Sequence, residues 1–183
     1  MISDLLAEAE HKMEMAVDHV GGEFSTVRTG RANPQLLSRI TVEYYGSATP
    51  LLQLASISVP EPRLLMVQPF DKSTVSDVER AIQQSDLGLN PSNDGNVIRI
   101  AFPPLTEERR RDLIKVVKHM AEEGRVSVRN VRRHSKADME SLHGEISDDD
   151  IRRGEDELQE LTDKYVERID GLLANKEEEL LEV

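Results

Sequence analysis

The most regular apolar pattern in the chain lies in residues 103–147, PPLTEERRRDLIKVVKHMAEEGRVSVRNVRRHSKADMESLHGEIS. Pro103-Pro104 ends the preceding segment, because a residue before proline disfavours helical backbone angles. Thr106 is then suited to cap a helix, with Glu107 and Glu108 favourable near its positive end. Residues of the apolar row follow at helical spacing, at Leu113, Val117, Met120, Gly124, Val128, Val131, Met139 and Leu142. The stretch predicts one long amphipathic helix.

Two further helices of the same kind lie on either side of this segment. Apolar residues recur at three- and four-residue steps from Ser3 to about Arg28, which predicts a first helix. After the short link Gly144-Glu145-Ile146, the pair Ser147 and Asp150 predicts a capping box that opens a third helix. Because the link is short, the second and third helices should be antiparallel. Three amphipathic helices must share their apolar faces, which predicts a three-helix bundle.

The middle of the chain, residues 31–104, has a different pattern. Alternation with period two occurs at Ile40–Tyr44, Leu54–Val59 and Val97–Ile100, and Leu64–Val67 is a continuous apolar run. These segments predict short strands. One short helix is marked by the apolar residues Val75, Val78 and Ile82. The segment is therefore predicted to be a small mixed β/α/β domain.

Together these patterns predict an α+β protein, in which an elongated antiparallel three-helix bundle carries an inserted domain. The bundle would comprise residues 1–29 and 105–183, and the inserted β/α/β domain residues 30–104. The chain then crosses between the two domains twice, at Thr29-Gly30-Arg31 and at Pro103-Pro104-Leu105. Because few contacts are expected at two such crossings, we predict a hinge there.

The composition excludes several classes of protein. No cysteine is present, so disulfide frameworks and thiolate metal sites are excluded, and a reducing cytoplasm fits. The first ten residues contain acids and no apolar core of signal-peptide length, and no later run approaches a membrane span. We therefore expect a cytoplasmic protein that has no membrane partner.

The charge is distributed unevenly. The net charge of −12 argues against a polyanion partner, because nucleic-acid-binding surfaces are usually basic. Between Arg109 and Lys136, however, ten Lys and Arg face only three acids, a local charge of 10 − 3 = +7. The remainder must then carry −12 − 7 = −19. One segment is a strongly basic island.

The acid-free part of this island, from Arg125 to Lys136, lies on a different face of the predicted helix from the apolar row. The arginines suit bidentate contacts to phosphate, so we predict RNA binding by Arg125, Arg129, Arg132 and Arg133. An ordinary solvated charged face is the alternative. Arg28 and Arg31 either contact phosphate or cap the end of the first helix, and Arg109-Arg110-Arg111 either bind RNA or pair with nearby acids. Of the last three, only Arg110 is retained as a candidate.

A catalytic site has little support. The five histidines lack the HExxH spacing of a helical zinc site, and no GxxxxGK[ST] loop is present. Neither Ser25 nor Ser127 has a base placed nearby in the sequence. We predict no enzyme activity, no catalytic residue, no metal and no cofactor.

Six motifs together resemble the bacterial ribosome recycling factor family. They are RTGRANP (28–34), VEYYG (42–46), QLASISV (53–59), SDLGLNPSNDG (85–95), PPLTEERRRDL (103–113) and VRNVRR (128–133). The resemblance covers nearly the whole chain. It implies an L-shaped protein of roughly transfer-RNA dimensions, built from a three-helix bundle and an inserted β/α/β domain. It also implies a monomer that acts on ribosomes after termination, in the cytoplasm.

The resemblance further implies partners and site residues. The bundle would contact 23S ribosomal RNA of the large subunit, and elongation factor G with GTP would drive the subunits apart and release the mRNA. Arg132 matches the most critical position of the family, and the supporting contacts would be Arg129, Arg133, Arg110, Arg28 and Arg31. The hinge would be a moving part. Gly21-Gly22 and Gly124 stand where helix formers are expected, which predicts a less stiff bundle.

The amphipathic helices and the high negative charge also allow a different class, an acidic helical adaptor that binds other proteins. Such an adaptor would form dimers and bind its partners in a salt-insensitive way. RNA binding through phosphate contacts should instead weaken steeply with salt.

Overall fold

The computed structural model describes residues 1–182 and contains both helices and strands. The helices are α1 (Ile2–Thr26), α2 (Leu51–Leu54), α3 (Val75–Gln84), α4 (Glu107–Glu140) and α5 (Asp148–Leu181). The strands are β1 (Thr41–Tyr44), β2 (Ser47–Pro50), β3 (Ala55–Glu61), β4 (Leu64–Pro69), β5 (Pro91–Asn93) and β6 (Ile98–Ala101). Two 3-10 turns occupy Pro34–Arg39 and Lys72–Thr74. None of the described helices is long and apolar enough to cross a membrane.

The chain divides into two compact units. The helical unit comprises Met1–Thr29 and the chain from Thr106 onward, and the α/β unit comprises Gly30–Leu105. The division falls one residue after the predicted boundary between Pro104 and Leu105. Leu105 therefore belongs with the inserted segment, and a Cβ added at Gly30 would lie 3.4 Å from its Cγ.

The helical unit is a bundle of α1, α4 and α5. At 1.5 Å per residue, the 25 residues of α1 span about 37 Å, and the 34 residues of α4 and of α5 span about 51 Å each. Ion pairs show their directions: Arg125 and Lys118 of α4 contact Asp170 and Glu177 of α5, so residue numbers run in opposite senses. On α1, Glu10 and Glu14 contact Lys164 and Arg168, so α1 runs parallel to α5 and antiparallel to α4.

The N-termini of the two long helices are capped as predicted. Thr106 Oγ1 accepts a hydrogen bond from the Arg109 N–H at 3.1 Å. Ser147 Oγ accepts from the Asp150 N–H at 3.2 Å, which is the N-cap bond of the predicted capping box. The Ser147 hydroxyl also donates to Asp150 Oδ2 at 2.7 Å, in place of the backbone N–H bond that would complete the box. The first helix begins at Ile2 and ends at Thr26, because Val27 is extended, so the predicted end near Arg28 was wrong by two residues.

Among the helical glycines, Gly124 is the one at which an added Cβ would come closest to a neighbouring helix. A Cβ added there would lie 2.3 Å from Val20 Cγ2 of α1 and 3.3 Å from Ile169 Cδ1 of α5. Gly154 is similar, since its Cβ would lie 2.7 Å from Ile2 Cγ2. By contrast, nothing lies within 4 Å of a Cβ at Gly21 or Gly22. Gly124 is therefore a packing position, which explains why a helix former is absent from it.

The α/β unit contains a four-stranded antiparallel sheet and a separate hairpin. The strand order is β3-β4-β6-β5, and β1 pairs with β2 through the turn at Tyr45-Gly46. Both turn residues have positive φ, 49° and 80°, as a two-residue hairpin turn requires. The predicted short helix is confirmed as α3, whose Val75, Val78 and Ile82 are buried in the core of this unit. Strands β2 and β5 were not predicted, because they have only four and three residues and contain no Val, Ile, Leu or aromatic side chain.

Gly30 brings the two chain crossings together on the side of the α/β unit. Its φ of +77° lies in the left-handed region, which favours glycine. A Cβ at this position would lie 3.4 Å from Leu105 Cγ and 3.7 Å from the Pro103 carbonyl oxygen. The two segments that we predicted to form the hinge are therefore neighbours in space.

The contact that joins α1 to α5 at Glu10 should depend on pH. Lys164 Nζ and Tyr165 Oη both donate to Glu10 Oε1 at 3.1 Å. These two hydrogen bonds hold the pKa of Glu10 below its usual value of 4.5, and the bond from Lys164 has the larger effect. A depressed pKa stabilises the folded state above the pKa of the unfolded chain, and this contribution is lost as the pH falls through the folded pKa.

We therefore expect Glu10→Gln to lower the free energy of unfolding slightly at pH 7, and the difference from the unsubstituted chain to shrink below pH 4.5. Urea denaturation of both proteins at pH 7 and below pH 4.5 measures the difference in free energy of unfolding under each condition. Asp18→Asn is the matched control, because Asp18 is exposed on the same helix and has no partner among the described residues. A difference that stays constant with pH would contradict the role of the Glu10 carboxylate.

Candidate nucleic-acid interface

Helix α4 presents its basic residues away from the core of the bundle. Its buried positions include Val117, Gly124, Val128 and Met139, which recur at helical spacing. The basic side chains lie on the remaining surface because they are offset from this row by roughly one quarter to one half of a turn. The predicted separation of the apolar and basic faces is confirmed.

The side of this basic face that borders α5 is lined with acids from α5. Asp170 Oδ1 lies 2.6 Å from Arg125 Nη2, and Glu177 Oε1 lies 3.2 Å from Lys118 Nζ. Lys136 Nζ lies 3.7 Å from Glu155 Oε2. The acid-free segment Arg125–Lys136 was counted along α4 alone, so that count did not include the carboxylates that α5 supplies. The partners of these three cations come from a helix that is distant in sequence.

Glu122 is a second source of negative charge, and it lies on α4 itself. Its Oε2 accepts from Arg125 Nη1 and its Oε1 accepts from Arg129 Nη1, both at 3.1 Å. Both bonds lower the pKa of the Glu122 carboxyl group, and the bond from Arg125 has the larger effect. Spacings of three and seven residues signal such contacts on a helix, so the sequence did contain this partnership. It was missed because the acid-free segment was counted from Arg125.

Arg125 is held inside the protein more than its neighbours. Only 19% of its side chain is exposed, and its Nε donates to Asp170 Oδ1 at 2.8 Å in addition to the contacts already described. Burial opposes its charged form, but the carboxylates of Asp170 and Glu122 raise its pKa overall. Its guanidinium group therefore joins α4 to α5. The sequence did not predict this structural role of Arg125, and its contact with RNA stays a prediction.

Arg132 and Arg133 differ from the other basic residues of α4. Neither side chain makes a hydrogen bond or ion pair within residues 1–182. Between Glu155 and Asp170, the acids that pair with Lys136 and Arg125, α5 also carries Asp163, one heptad before Asp170. Asp163 accepts a hydrogen bond from Gln159 Nε2 of its own helix at 2.8 Å and makes no ion pair with Arg132 within residues 1–182. Arg132 is half-buried and Arg133 is exposed.

The remaining candidates lie elsewhere. Arg110 is half-buried near the N-terminus of α4, and its Nε is buried with no hydrogen-bond partner among the described residues. The neighbouring Arg111 pairs with Glu107, which confirms a structural use for part of the arginine triplet. Arg28 is exposed just after α1, and Arg31 is half-buried in the α/β unit. The structure thus brings Arg129, Arg132 and Arg133 together on α4 but does not place Arg110, Arg28 and Arg31 within that group.

The histidines and carboxylates of the described chain form no group of three or more with the geometry to hold a metal ion.

Comparison with known proteins identifies the family. The family model described as ribosome recycling factor matches residues 21–181. The chain belongs to the ribosome recycling factor family. The predicted resemblance is confirmed, and with it the prediction that the chain is not an enzyme.

Curated relatives agree over the full length of this family member. The ribosome-recycling factor of Halalkalibacterium halodurans is 58% identical over 100% of both chains. That of Acidothermus cellulolyticus is 57% identical over 100% of both chains, and that of Rubrobacter xylanophilus is 59% identical over 97% of each.

Solved structures of other ribosome recycling factors share the fold. A solution structure has a TM-score of 0.79 and 46% identity, and the match covers 100% of this chain and 98% of the other. A second, with a TM-score of 0.65 and 43% identity over 100% of both chains, is the T. thermophilus factor in a set of models with E. coli elongation factor G, bound to the E. coli post-termination complex. The predicted α+β fold, a helical bundle with a small inserted β-containing domain, is confirmed.

Proposed function

We propose that this protein binds the post-termination ribosome and, with elongation factor G and GTP, promotes separation of the subunits and release of the mRNA. Family membership supports this function, as does the solved relative bound with elongation factor G to a post-termination complex. The structural observation that carries it is the pair Arg132 and Arg133, two guanidinium groups on α4 that have no hydrogen-bond or ion-pair partner within residues 1–182. The protein acts as a monomer in the cytoplasm.

Large-subunit 23S ribosomal RNA is the partner of the α4 face in this proposal. Arg132 and Arg133 make the principal contacts, since a guanidinium fork matches the oxygens of a phosphate and neither must first leave a carboxylate. Arg129, Arg110, Arg28 and Arg31 are supporting contacts. Arg125 contributes by holding α4 against α5, which fixes the surface from which the other arginines project.

The acidic remainder of the protein restricts how RNA can approach. Outside residues 109–136 the chain carries −19, so most orientations bring like charges together. Contact is then favourable only when RNA meets the α4 face. The segments Thr29–Arg31 and Pro103–Leu105 serve as the hinge in this proposal, and the division of the chain into two compact units after Thr29 and after Leu105 supports it.

A splitting assay with purified post-termination ribosomes tests this function. We expect light scattering to fall, as the subunits separate, only when the protein, elongation factor G and GTP are all present. The oligomeric state of the protein alone, measured by sedimentation, distinguishes the recycling factor from the acidic adaptor. The adaptor would be a dimer at micromolar concentration. Intact ribosomes in the complete mixture, together with a dimeric protein, would overturn the proposal in favour of the adaptor.

A further inference from the structure

Glu122 lies inside the basic face of α4 and not at its border. Measured around the helix from Gly124, Glu122 lies at about 160°, between Arg129 at about 140° and Arg133 at about 180°. Its two carboxylate oxygens are divided between two arginines, Arg125 and Arg129. About half of the Glu122 and Arg129 side chains is exposed, so both can be reached by an external phosphate.

This arrangement divides the arginines of α4 into two classes. Arg125 and Arg129 already have a carboxylate at hydrogen-bonding distance, whereas Arg132 and Arg133 have none. A phosphate that approaches Arg129 must displace Glu122 or lie beside it, and two like charges at that distance repel. A phosphate that approaches Arg132 has no ion pair to displace within residues 1–182.

We propose that Glu122 is a specificity-determining residue, whose carboxylate acts as an internal counterion that phosphate must displace from Arg129. This inference rests on the proposed function and adds to it. RNA that reaches only Arg129 gains little binding free energy, because its ion pair with Arg129 replaces the one between Arg129 and Glu122. RNA shaped to place phosphates on Arg132 and Arg133 binds there first, and displacement of Glu122 then occurs within a complex that is already formed.

Glu123 provides a matched control for substitution of Glu122. It has the same charge, lies one residue further along α4, and pairs with His119 and not with an arginine. Glu122→Gln and Glu123→Gln therefore change the net charge equally, from −12 to −11. Only the first removes the carboxylate that holds Arg125 and Arg129, while leaving an amide oxygen that can still accept a hydrogen bond.

The experiment measures the affinity of the full chain for two probes, a labelled 20-residue oligouridine and purified large ribosomal subunits, over a series of salt concentrations. Because exposed ion pairs are worth up to about 1 kcal/mol, E122Q should bind oligouridine about two- to fivefold more tightly than E123Q. Its salt dependence should also be steeper, by up to roughly the 0.7 expected for one additional phosphate contact. The affinity of E122Q for large subunits should change less than its affinity for oligouridine. The ratio of the two affinities should therefore be lower in E122Q than in E123Q.

Equal affinity of E122Q and E123Q for oligouridine would overturn the inference, as would no detectable binding by E122Q at low salt. In an Arg129→Ala background the difference between the two variants should shrink, and an unchanged difference would exclude Arg129 as the group that Glu122 screens. Failure of the unsubstituted chain to bind large subunits would instead contradict the proposed function, while the comparison on oligouridine still tests Glu122. Thermal unfolding of each variant checks that the fold is intact.

Discussion

Arg132→Ala is expected to reduce binding to the large ribosomal subunit by about 10- to 150-fold, since hydrogen bonds to a charged group contribute about 1.5–3 kcal/mol. The reason is local: Arg132 makes no hydrogen bond or ion pair within residues 1–182, so its donors remain available for phosphate. The fold should be retained, because Arg132→Ala removes no hydrogen bond or ion pair within residues 1–182. Circular dichroism and subunit binding measured on the same sample separate the two properties.

Arg111→Ala is the matched control for this prediction. It removes the same charge from the same helix, but Arg111 is exposed and pairs with Glu107. Binding to the large subunit should therefore weaken only slightly. Arg132→Lys tests the geometry, because a lysine keeps the charge but loses the planar fork, and should give an intermediate affinity. Undiminished binding by Arg132→Ala would remove Arg132 from the interface.

Gly124→Ala is expected to destabilise the bundle, although alanine is the better helix former by about 1 kcal/mol. The new Cβ would lie 2.3 Å from Cγ2 of Val20, a buried and β-branched side chain that has no room to turn away. Overpacking of a core costs about 1–3 kcal/mol, which outweighs the gain in helix propensity. We expect the free energy of unfolding to fall by about 1–2 kcal/mol and Tm by roughly 2–8 °C.

Gly171→Ala should have the opposite effect. Gly171 lies in α5 with nothing within 4 Å of an added Cβ, so only the propensity gain of about 0.5–1 kcal/mol remains. The double variant Val20→Ala with Gly124→Ala supplies the second control, because it removes the methyl group that the new Cβ meets. If Gly124→Ala raised Tm as Gly171→Ala does, the close approach of α1 and α4 at this position would be wrong.

Local patterns predicted most of the elements. Periodicity indicated the three long helices and α3, and the side chains of Thr106 and Ser147 indicated where two helices begin, since a cap acts within four residues of itself. Strands β2 and β5 escaped prediction for the complementary reason. They have four and three residues, and their pairing with β1 and β6 stabilises them more than any pattern of their own.

The basic face shows the same division at the level of the site. The sequence placed Arg125, Arg129, Arg132 and Arg133 on one side of α4, and the spacing of Glu122 from Arg125 and Arg129 was also present in it. Spacing along one helix could not reveal that Asp170 of α5 holds Arg125, or that Arg132 makes no ion pair within residues 1–182. RNA contact by these arginines therefore stays a prediction, and the structure adds which of them have a carboxylate partner.

By itself, the sequence determined the helices, their apolar faces, the position of the inserted segment and the family, because each depends on residues a few positions apart or on motifs quoted directly from the chain. Only the tertiary structure decided which cations have partners and why residue 124 is glycine. Both depend on the register between α1, α4 and α5, which is set by side-chain packing between helices that are far apart in sequence. Short-range periodicity contains no information about that register.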